Sequence, residues 1–283
     1  MKKVILSADS TCDLNEELIK KYEVNIQPLH INLKDKMYKD GVDITPDDIY
    51  DTFEKERVLP KTAAPNIQDY IDHFKQFTDE DYAVVHISLG SGLSSSHQNA
   101  CIAAEELGDV YVVDSGNLST GMGLIVIEAA ERIAKGMAAE QVYEEVKALT
   151  SKVQASFVID TLTYLYEGGR CSALARFSAS LLNIKPCIEV DNTSGNMGVG
   201  KKYRGSLSRV FKQYTLDQLK RYDKINPKRV FITHSGTSSK NIELVKQVIE
   251  EHANFEEILI TRAGCTISSH CGPNTLGVLF MTE

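Results

Sequence analysis

Short apolar runs alternate in the first half of the chain with segments whose apolar residues recur every three or four positions. The runs at 3–8, 24–33, 82–89 and 109–115 predict β-strands, because each is bounded by polar or glycine-rich residues. Helical spacing marks residues 15–22, 45–56, 67–77, 94–107, 118–136 and 138–149. This alternation predicts a parallel sheet covered by helices. Residues 30–41 differ, since two short runs around Lys34 and Asp35 predict a hairpin.

The pattern changes after about residue 155. Apolar runs at 185–192 and 199–205 flank a Gly/Asn-rich stretch, which predicts a second hairpin. Helical spacing at 206–224 and 239–253 then alternates with runs at 229–235, 257–264 and 276–281. We therefore expect a two-domain α/β protein. Its N-terminal domain (1–155) has a parallel sheet flanked by helices, and its C-terminal α/β domain (156–283) has a mixed sheet with antiparallel strands.

Composition and hydropathy narrow the class of protein. Hydrophobic residues make up 42% of the chain and charged residues 25%, which excludes a wholly disordered protein. No apolar run approaches the roughly 20 residues that a membrane helix needs. The first ten residues contain too short an apolar run for a secretory signal. We therefore expect a cytoplasmic protein without stable membrane insertion, and transient membrane contact stays open.

The net charge of −8 is unevenly distributed. Residues 1–154 carry a net −12 (15 Lys/Arg against 27 Asp/Glu), whereas residues 155–283 carry +4 (16 against 12). Residues 170–212 alone hold 8 basic and 2 acidic side chains. This distribution argues against nucleic-acid binding and favours a local anion site in the second half. The six cysteines form no C-x-x-C pair and no zinc-like cluster, so we expect free thiols and no metal.

Four segments rich in small polar residues are expected to follow strands and to lie near one another at the carboxyl ends of the sheet: 7–13, 61–66, 88–96 and 114–121. In the third segment, Gly92 would let backbone N–H groups approach a ligand, and Ser94 would stand at a helix N-terminus that favours an anion. The hydroxyls of Thr62 and Ser94 can donate to a carboxylate. Caps and turns alone would also explain each segment taken singly.

Two functions fit some of these residues, one enzymatic and one of binding alone. A serine-dependent lipid hydrolase or acyltransferase would use Ser94 with His270 as its base. Alternatively, the chain could bind a different amphiphilic small molecule. The hydrolase requires an imidazole within hydrogen-bonding distance of Ser94, which sequence alone does not establish.

An ordered set of motifs resembles the DegV family over essentially the whole chain: D-S-T-x-D at 9–13, T-x-x-P at 62–65, G-S-G-L-S at 90–94, V-V-D-S at 112–115, G-G-R-x-S at 168–172, K-P at 185–186 and H-x-G-P-x-x-L-G at 270–277. The resemblance implies a lipid tunnel between and within the two domains. It also implies a non-enzymatic fatty-acid-binding subunit of the FakB type, without a cofactor. A separate, dihydroxyacetone-kinase-like fatty acid kinase would phosphorylate the bound carboxyl group to an acyl phosphate for phospholipid synthesis.

By the same resemblance, Thr62, Ser94 and His270 would bind the fatty-acid carboxylate, and Arg170 and Arg204 would work with the kinase. Six residues of the surrounding loops are expected to support this site: Asp9, Ser10, Gly92, Ser115, Ser119 and Gly272. The family's usual T-S-Q-P-S and L-S-G-T-Y segments are T-A-A-P-N at 62–66 and L-S-S-S-H at 93–97 here. The hydroxyls at 62 and 94 remain, while Ala63, Ala64, Ser95, Ser96 and His97 change their surroundings.

Overall fold

The structure is a computed structural model that describes residues 2–170 and 184–283. Residues 171–183, which include Cys171 and the Ser172 of the G-G-R-x-S motif, lie outside these residues. The expected α/β class is confirmed. The first sheet is parallel, in the order β2-β1-β6-β7. Its strands are β1 (Val4–Asp9), β2 (Asn25–Gln27), β6 (Ala83–Ser88) and β7 (Val110–Asp114).

Helices cover both faces of this sheet, because alternate strand residues point to opposite sides. The flanking helices are α1 (Glu16–Lys21), α3 (Ile67–Thr78), α4 (Ser96–Leu107), α5 (Ser119–Ala134) and α6 (Ala139–Leu149). Val84 packs with Tyr70 and Phe74 of α3, whereas its neighbour Val85 lies in the core that contains α5 and α6.

A small antiparallel sheet lies beside the first, in the order β4-β3-β5. Its strands are β3 (His30–Leu33), β4 (Lys36–Lys39) and β5 (Lys61–Ala63), and α2 (Pro46–Glu56) follows β4. The predicted hairpin is confirmed, with left-handed backbone at Lys34 and Asp35. The single strand predicted over 24–33 is wrong, because it divides into β2 and β3 around Pro28, which has no N–H to donate.

The second half builds a seven-stranded mixed sheet in the order β11-β10-β9-β14-β12-β13, with β8 on β14. Only β12 and β13 pair in parallel within it, among the strands described. The strands are β8 (Val153–Gln154), β9 (Ser156–Val158), β10 (Ile184–Val190), β11 (Met197–Arg204), β12 (Ile225–His234), β13 (Glu257–Arg262) and β14 (Leu276–Thr282). The helices are α7 (Thr163–Gly168), α8 (Leu207–Arg221), α9 (Ser239–His252) and α10 (Cys265–Cys271). The hairpin predicted around 193–198 is confirmed as β10–β11.

Helix α5 joins the two halves. Nearly all of it is buried, and the core around it includes Phe231 and Leu279 of the mixed sheet. At its far end, Glu128 pairs with Arg229 of β12 at 2.9 Å. The domain boundary at residue 155 stays a prediction. No helix within the described ranges combines the length and apolar character that crossing a membrane demands.

Candidate ligand-binding site

Two adjoining cavities lie where the small sheet, α10 and the mixed sheet meet. The outer cavity has a volume of about 60 Å³. Its polar lining consists of Thr62, Ser94, Arg170, Thr266 and His270, and the remaining lining residues are almost all apolar. Since Arg170 is exposed, this cavity reaches the surface at its polar end.

The inner cavity, of about 30 Å³, is apolar although several of its residues carry hydroxyls. Each hydroxyl is bonded to the protein. Ser119 donates to Asp13, Ser235 donates to the Gly272 carbonyl, and Thr275 donates to the Cys271 carbonyl at 2.9 Å. The Thr233 hydroxyl is hydrogen-bonded to the hydroxyls of Thr120 and Thr261. The hydroxyls are therefore already used, and carbon atoms face the cavity. The sequence alone would suggest a more polar wall.

Three buried residues, Leu118, Ile267 and Cys271, line both cavities. The two cavities therefore lie along one path from a polar mouth to an apolar interior, with these three side chains between them. A single water takes about 30 Å³ in the liquid, so both cavities are small. A long acyl chain would have to displace these shared side chains.

His270 and Thr62 form the central polar contact of the outer cavity. His270 Nε2 lies 2.8 Å from Thr62 Oγ1. Burial, and secondarily the charge of Arg170, lower the pKa of His270 to about 4, so the imidazole is neutral near pH 7. Its Nδ1 has no hydrogen-bond partner among the described residues and faces Gly168.

We infer the direction of this hydrogen bond from the unpartnered Nδ1. A proton on Nδ1 would be a buried donor without an acceptor, which is unfavourable, so the neutral ring carries its proton on Nε2. His270 then donates to Thr62. The Thr62 hydroxyl proton is thereby available to donate into the cavity, as an anionic ligand requires.

Ser94 lies just before the N-terminus of α4, because Ser95 and not Ser94 is the N-cap of that helix. Its Oγ accepts the Ser96 amide at 3.2 Å and lies 2.9 Å from Ser96 Oγ. In the described part of the chain, no imidazole bonds to Ser94, and His270 is engaged by Thr62. The Ser94–His270 pair that the hydrolase requires is therefore not assembled.

The DegV family profile, which covers uncharacterised proteins, matches residues 3–283. The chain belongs to the DegV family. A DegV domain-containing protein of Clostridium perfringens is 31% identical over 286 residues, spanning 100% of both chains. A Thermus thermophilus structure, described as fatty acid binding of a DegV family protein, has a TM-score of 0.89 and 28% identity, and covers 99% of this chain and 100% of that one. A stearic-acid-binding protein of Eubacterium ventriosum has a TM-score of 0.82 and 26% identity, covering 100% and 98%.

Two residues of the DegV motif at 9–13 contact residues of the cavity wall rather than the cavity itself. Asp9 accepts the amide of Leu89 at 2.8 Å. Ser10 accepts the amide of Leu29 at 3.1 Å. Both leucines line the outer cavity, so Asp9 and Ser10 hold its wall in place.

The other loop residues are placed differently from one another. Ser115 bonds within its own turn, to Asn117, and Ser119 lines the inner cavity. The reason for a glycine at 92 differs from the expectation, because a Cβ there would lie 2.1 Å from the Ser194 carbonyl of the β10–β11 turn. A Cβ on Gly272 would lie 2.6 Å from the Tyr164 ring, and its φ is +72°. Protein contacts therefore require both glycines.

The expectation that all four polar segments follow strands is wrong for the second one. Thr62 lies within β5, paired with Ile31 of β3. This pairing turns the DegV threonine toward α10. The two arginines also separate, since Arg170 lines the outer cavity and Arg204 is an exposed residue at the end of β11, outside the lining formed by the described residues.

Helix α10, which carries His270, is held at its N-terminus by two carboxylates: Asp13, the last residue of the motif at 9–13, and Asp40, to which the sequence did not point. Asp40 accepts the amides of Cys265 at 2.7 Å and Thr266 at 3.2 Å, and Asp13 accepts the amide of Gly264 at 2.8 Å. Burial raises the pKa of Asp13 to about 8. Long separation in the chain hides these contacts from sequence patterns. Thr266 was also missed, although its position four residues before His270 places both on one helical face.

Proposed function

We propose that this chain binds a long-chain fatty acid and presents its carboxyl group to a separate fatty acid kinase in the cytoplasm. The carboxylate lies in the outer cavity at Thr62, Ser94 and His270, and the acyl chain extends into the inner cavity. The chain itself carries out no chemical step. The observation that carries this proposal is the continuity of a hydroxyl-lined mouth with a wholly apolar interior.

The fatty acid binding described for the Thermus thermophilus relative and the stearic acid named for the Eubacterium ventriosum relative support the choice of ligand over another amphiphile. A saturated 18-carbon acid has about 16 methylenes to bury, at about 0.8 kcal/mol each, or roughly 13 kcal/mol in total. Loss of motional freedom on association offsets part of this. The tail therefore supplies most of the affinity, and the hydroxyls orient the head.

The head-group chemistry suits a carboxylate that later attacks phosphorus. Neutral hydroxyls from Thr62 and Ser94 orient the anion without neutralising it. A paired arginine would hold the charge and weaken the nucleophile. Cationic groups are needed instead on the transferring phosphoryl group. The basic stretch 170–212 supports a placement of the kinase at the cavity mouth, near Arg170.

Ligand binding is tested on the purified full-length chain. Native mass spectrometry should show a copurifying mass equal to a long-chain fatty acid. The double variant Thr62→Val/Ser94→Ala should lose it. Thr78→Val should keep it, because Thr78 bonds within its own helix at the Phe74 carbonyl. A different copurifying amphiphile, or none with stearic acid added, would contradict the proposal.

The kinase step needs a separate test. Arg204→Glu should abolish kinase-dependent formation of acyl phosphate without changing stearate affinity, because Arg204 lies outside the described lining. Arg170→Glu is less informative, since Arg170 lines the cavity and is expected to alter binding as well. Lys240→Glu, an exposed charge reversal on α9, serves as the control. Unchanged acyl phosphate formation with Arg204→Glu would refute the kinase-facing role.

A further inference from the structure

Helix α10 contains three residues with hydroxyl groups, and one of them differs from the other two. Ser268 donates to the Ala263 carbonyl at 3.2 Å, and Ser269 donates to the Cys265 carbonyl at 2.6 Å. Bonding back to the preceding turn is the usual way in which a helical hydroxyl is satisfied. Thr266 Oγ1 is buried and has no hydrogen-bond partner among the described residues.

The lack of a partner is not explained by the surroundings of Thr266. The residue is only 4% exposed, and no group of the described residues forms a hydrogen bond with its hydroxyl. Asp40 lies next to it but takes the Thr266 amide, the Cys265 amide and the Ser10 hydroxyl. A buried hydroxyl without a partner is unfavourable. Such a group in a native protein calls for a specific explanation.

Thr266 also lines the outer cavity, together with Thr62, Ser94 and His270. It precedes His270 by four residues, so both side chains lie on the same face of α10. The inner cavity is not lined by Thr266. Its hydroxyl is therefore available at the polar end of the path.

We propose that Thr266 is a further ligand-binding residue, whose hydroxyl donates a hydrogen bond to a head-group oxygen of the acid in the outer cavity. The inference rests on the proposed function and adds a donor from α10 to those from β5 and the α4 loop. The hydroxyl is left unpaired in the protein alone and is paired when the acid binds. The contact therefore contributes to affinity at the expense of stability in the absence of ligand.

Thr266→Val tests this, because valine keeps the shape and removes only the hydroxyl. With delipidated full-length protein, we expect the affinity for stearic acid to fall roughly 10-fold or more. The melting temperature without ligand should rise by about 2 °C, since an unsatisfied buried group is removed. Opposite signs of the two effects would not arise from a merely structural role. Thr266→Ser should retain the affinity of the unsubstituted chain to within a few-fold.

Thr215→Val is the matched control. Thr215 is equally buried, but its hydroxyl donates to the Phe211 carbonyl at 2.8 Å, away from both cavities. This variant should lower the melting temperature and leave stearate affinity unchanged. If the unsubstituted chain binds stearate and Thr266→Val binds it equally well, only the role of Thr266 is overturned, and the proposed function stands. If the unsubstituted chain does not bind stearate, the proposed function is overturned with it.

Discussion

Gly168, at the end of α7, leaves room for the His270 imidazole, and replacing it with alanine should disturb the head-group site. A Cβ at this position would lie 2.1 Å from His270 Nδ1 and 3.0 Å from Cε1. Gly168 has no left-handed backbone, so alanine fits the main chain there, and the clash with the ring remains. The ring must move, and its Nε2 is the partner of Thr62 at 2.8 Å.

The expected size of the effect follows from these contacts. Overpacking a well-filled site costs about 1–3 kcal/mol, and loss of a neutral hydrogen bond costs about 0.5–1.5 kcal/mol. Alanine offsets up to about 1 kcal/mol through its higher helix propensity. We expect Gly168→Ala to lower the free energy of unfolding by about 2 kcal/mol. Stearate affinity should fall roughly tenfold, because Thr62 loses the donor that orients its hydroxyl.

Urea unfolding of delipidated protein and calorimetric titration with stearic acid measure the two effects. Gly198→Ala is the control, since no atom of the described residues lies within 4 Å of its added Cβ. It should change stability by no more than about 0.5 kcal/mol. In a His270→Ala background the clash is absent, so Gly168→Ala should then cost almost nothing. An equal cost in both backgrounds would refute the assigned contact.

Three further outcomes are expected. The pKa of His270 falls from the ordinary 6.5 to about 4 in the folded state. Between these two values the unfolded chain binds more protons than the folded chain, so stability should fall as the pH decreases from about 6.5 to about 4. His270→Gln should reduce this slope in urea-unfolding experiments, and an unchanged slope would contradict the assignment. Arg229 is 4% exposed and paired with Glu128 and Glu131, so Arg229→Met should lower the free energy of unfolding by about 3 kcal/mol, as measured with urea. A decrease below about 0.5 kcal/mol would show that these ion pairs contribute little to stability. Ala263→Leu, which fills the inner cavity, should weaken stearate binding more than binding of a 12-carbon acid in calorimetric titrations, and an equal loss for both acids would place the tail elsewhere.

The periodicity of the sequence predicted most of the regular structure correctly. Alternation of apolar runs and helical segments predicted the parallel sheet, and turn residues predicted both hairpins, because these signals are local. The strand over 24–33 failed at Pro28, where one apolar run serves two different sheets. Periodicity does not distinguish one continuous strand from two strands in different sheets, since strand pairing alone decides which sheet a run joins.

The site was predicted in part. Thr62, Ser94, Arg170 and His270 line one cavity, although they come from widely separated segments. Their residue types and the motif order pointed to them. Gly92 was expected to admit a ligand and Thr62 to follow a strand. In the structure Gly92 admits the Ser194 carbonyl, and Thr62 lies within β5. Gly92 accommodates a hairpin turn more than 100 residues away in the chain, and a local pattern carries no information about such a contact.

Residue type and local spacing were thus enough to predict the class of fold and two of the three hydroxyls that line the outer cavity, those of Thr62 and Ser94. Folding alone decided that the hydroxyls of Ser119, Ser235 and Thr275 turn away from the inner cavity while that of Thr266 stays unpaired. The physical reason is that a hydroxyl bonds whichever acceptor the packed chain brings within reach. Those acceptors lie on elements that only the tertiary structure brings together, so the same residue types leave an apolar wall in the inner cavity and a polar end in the outer one.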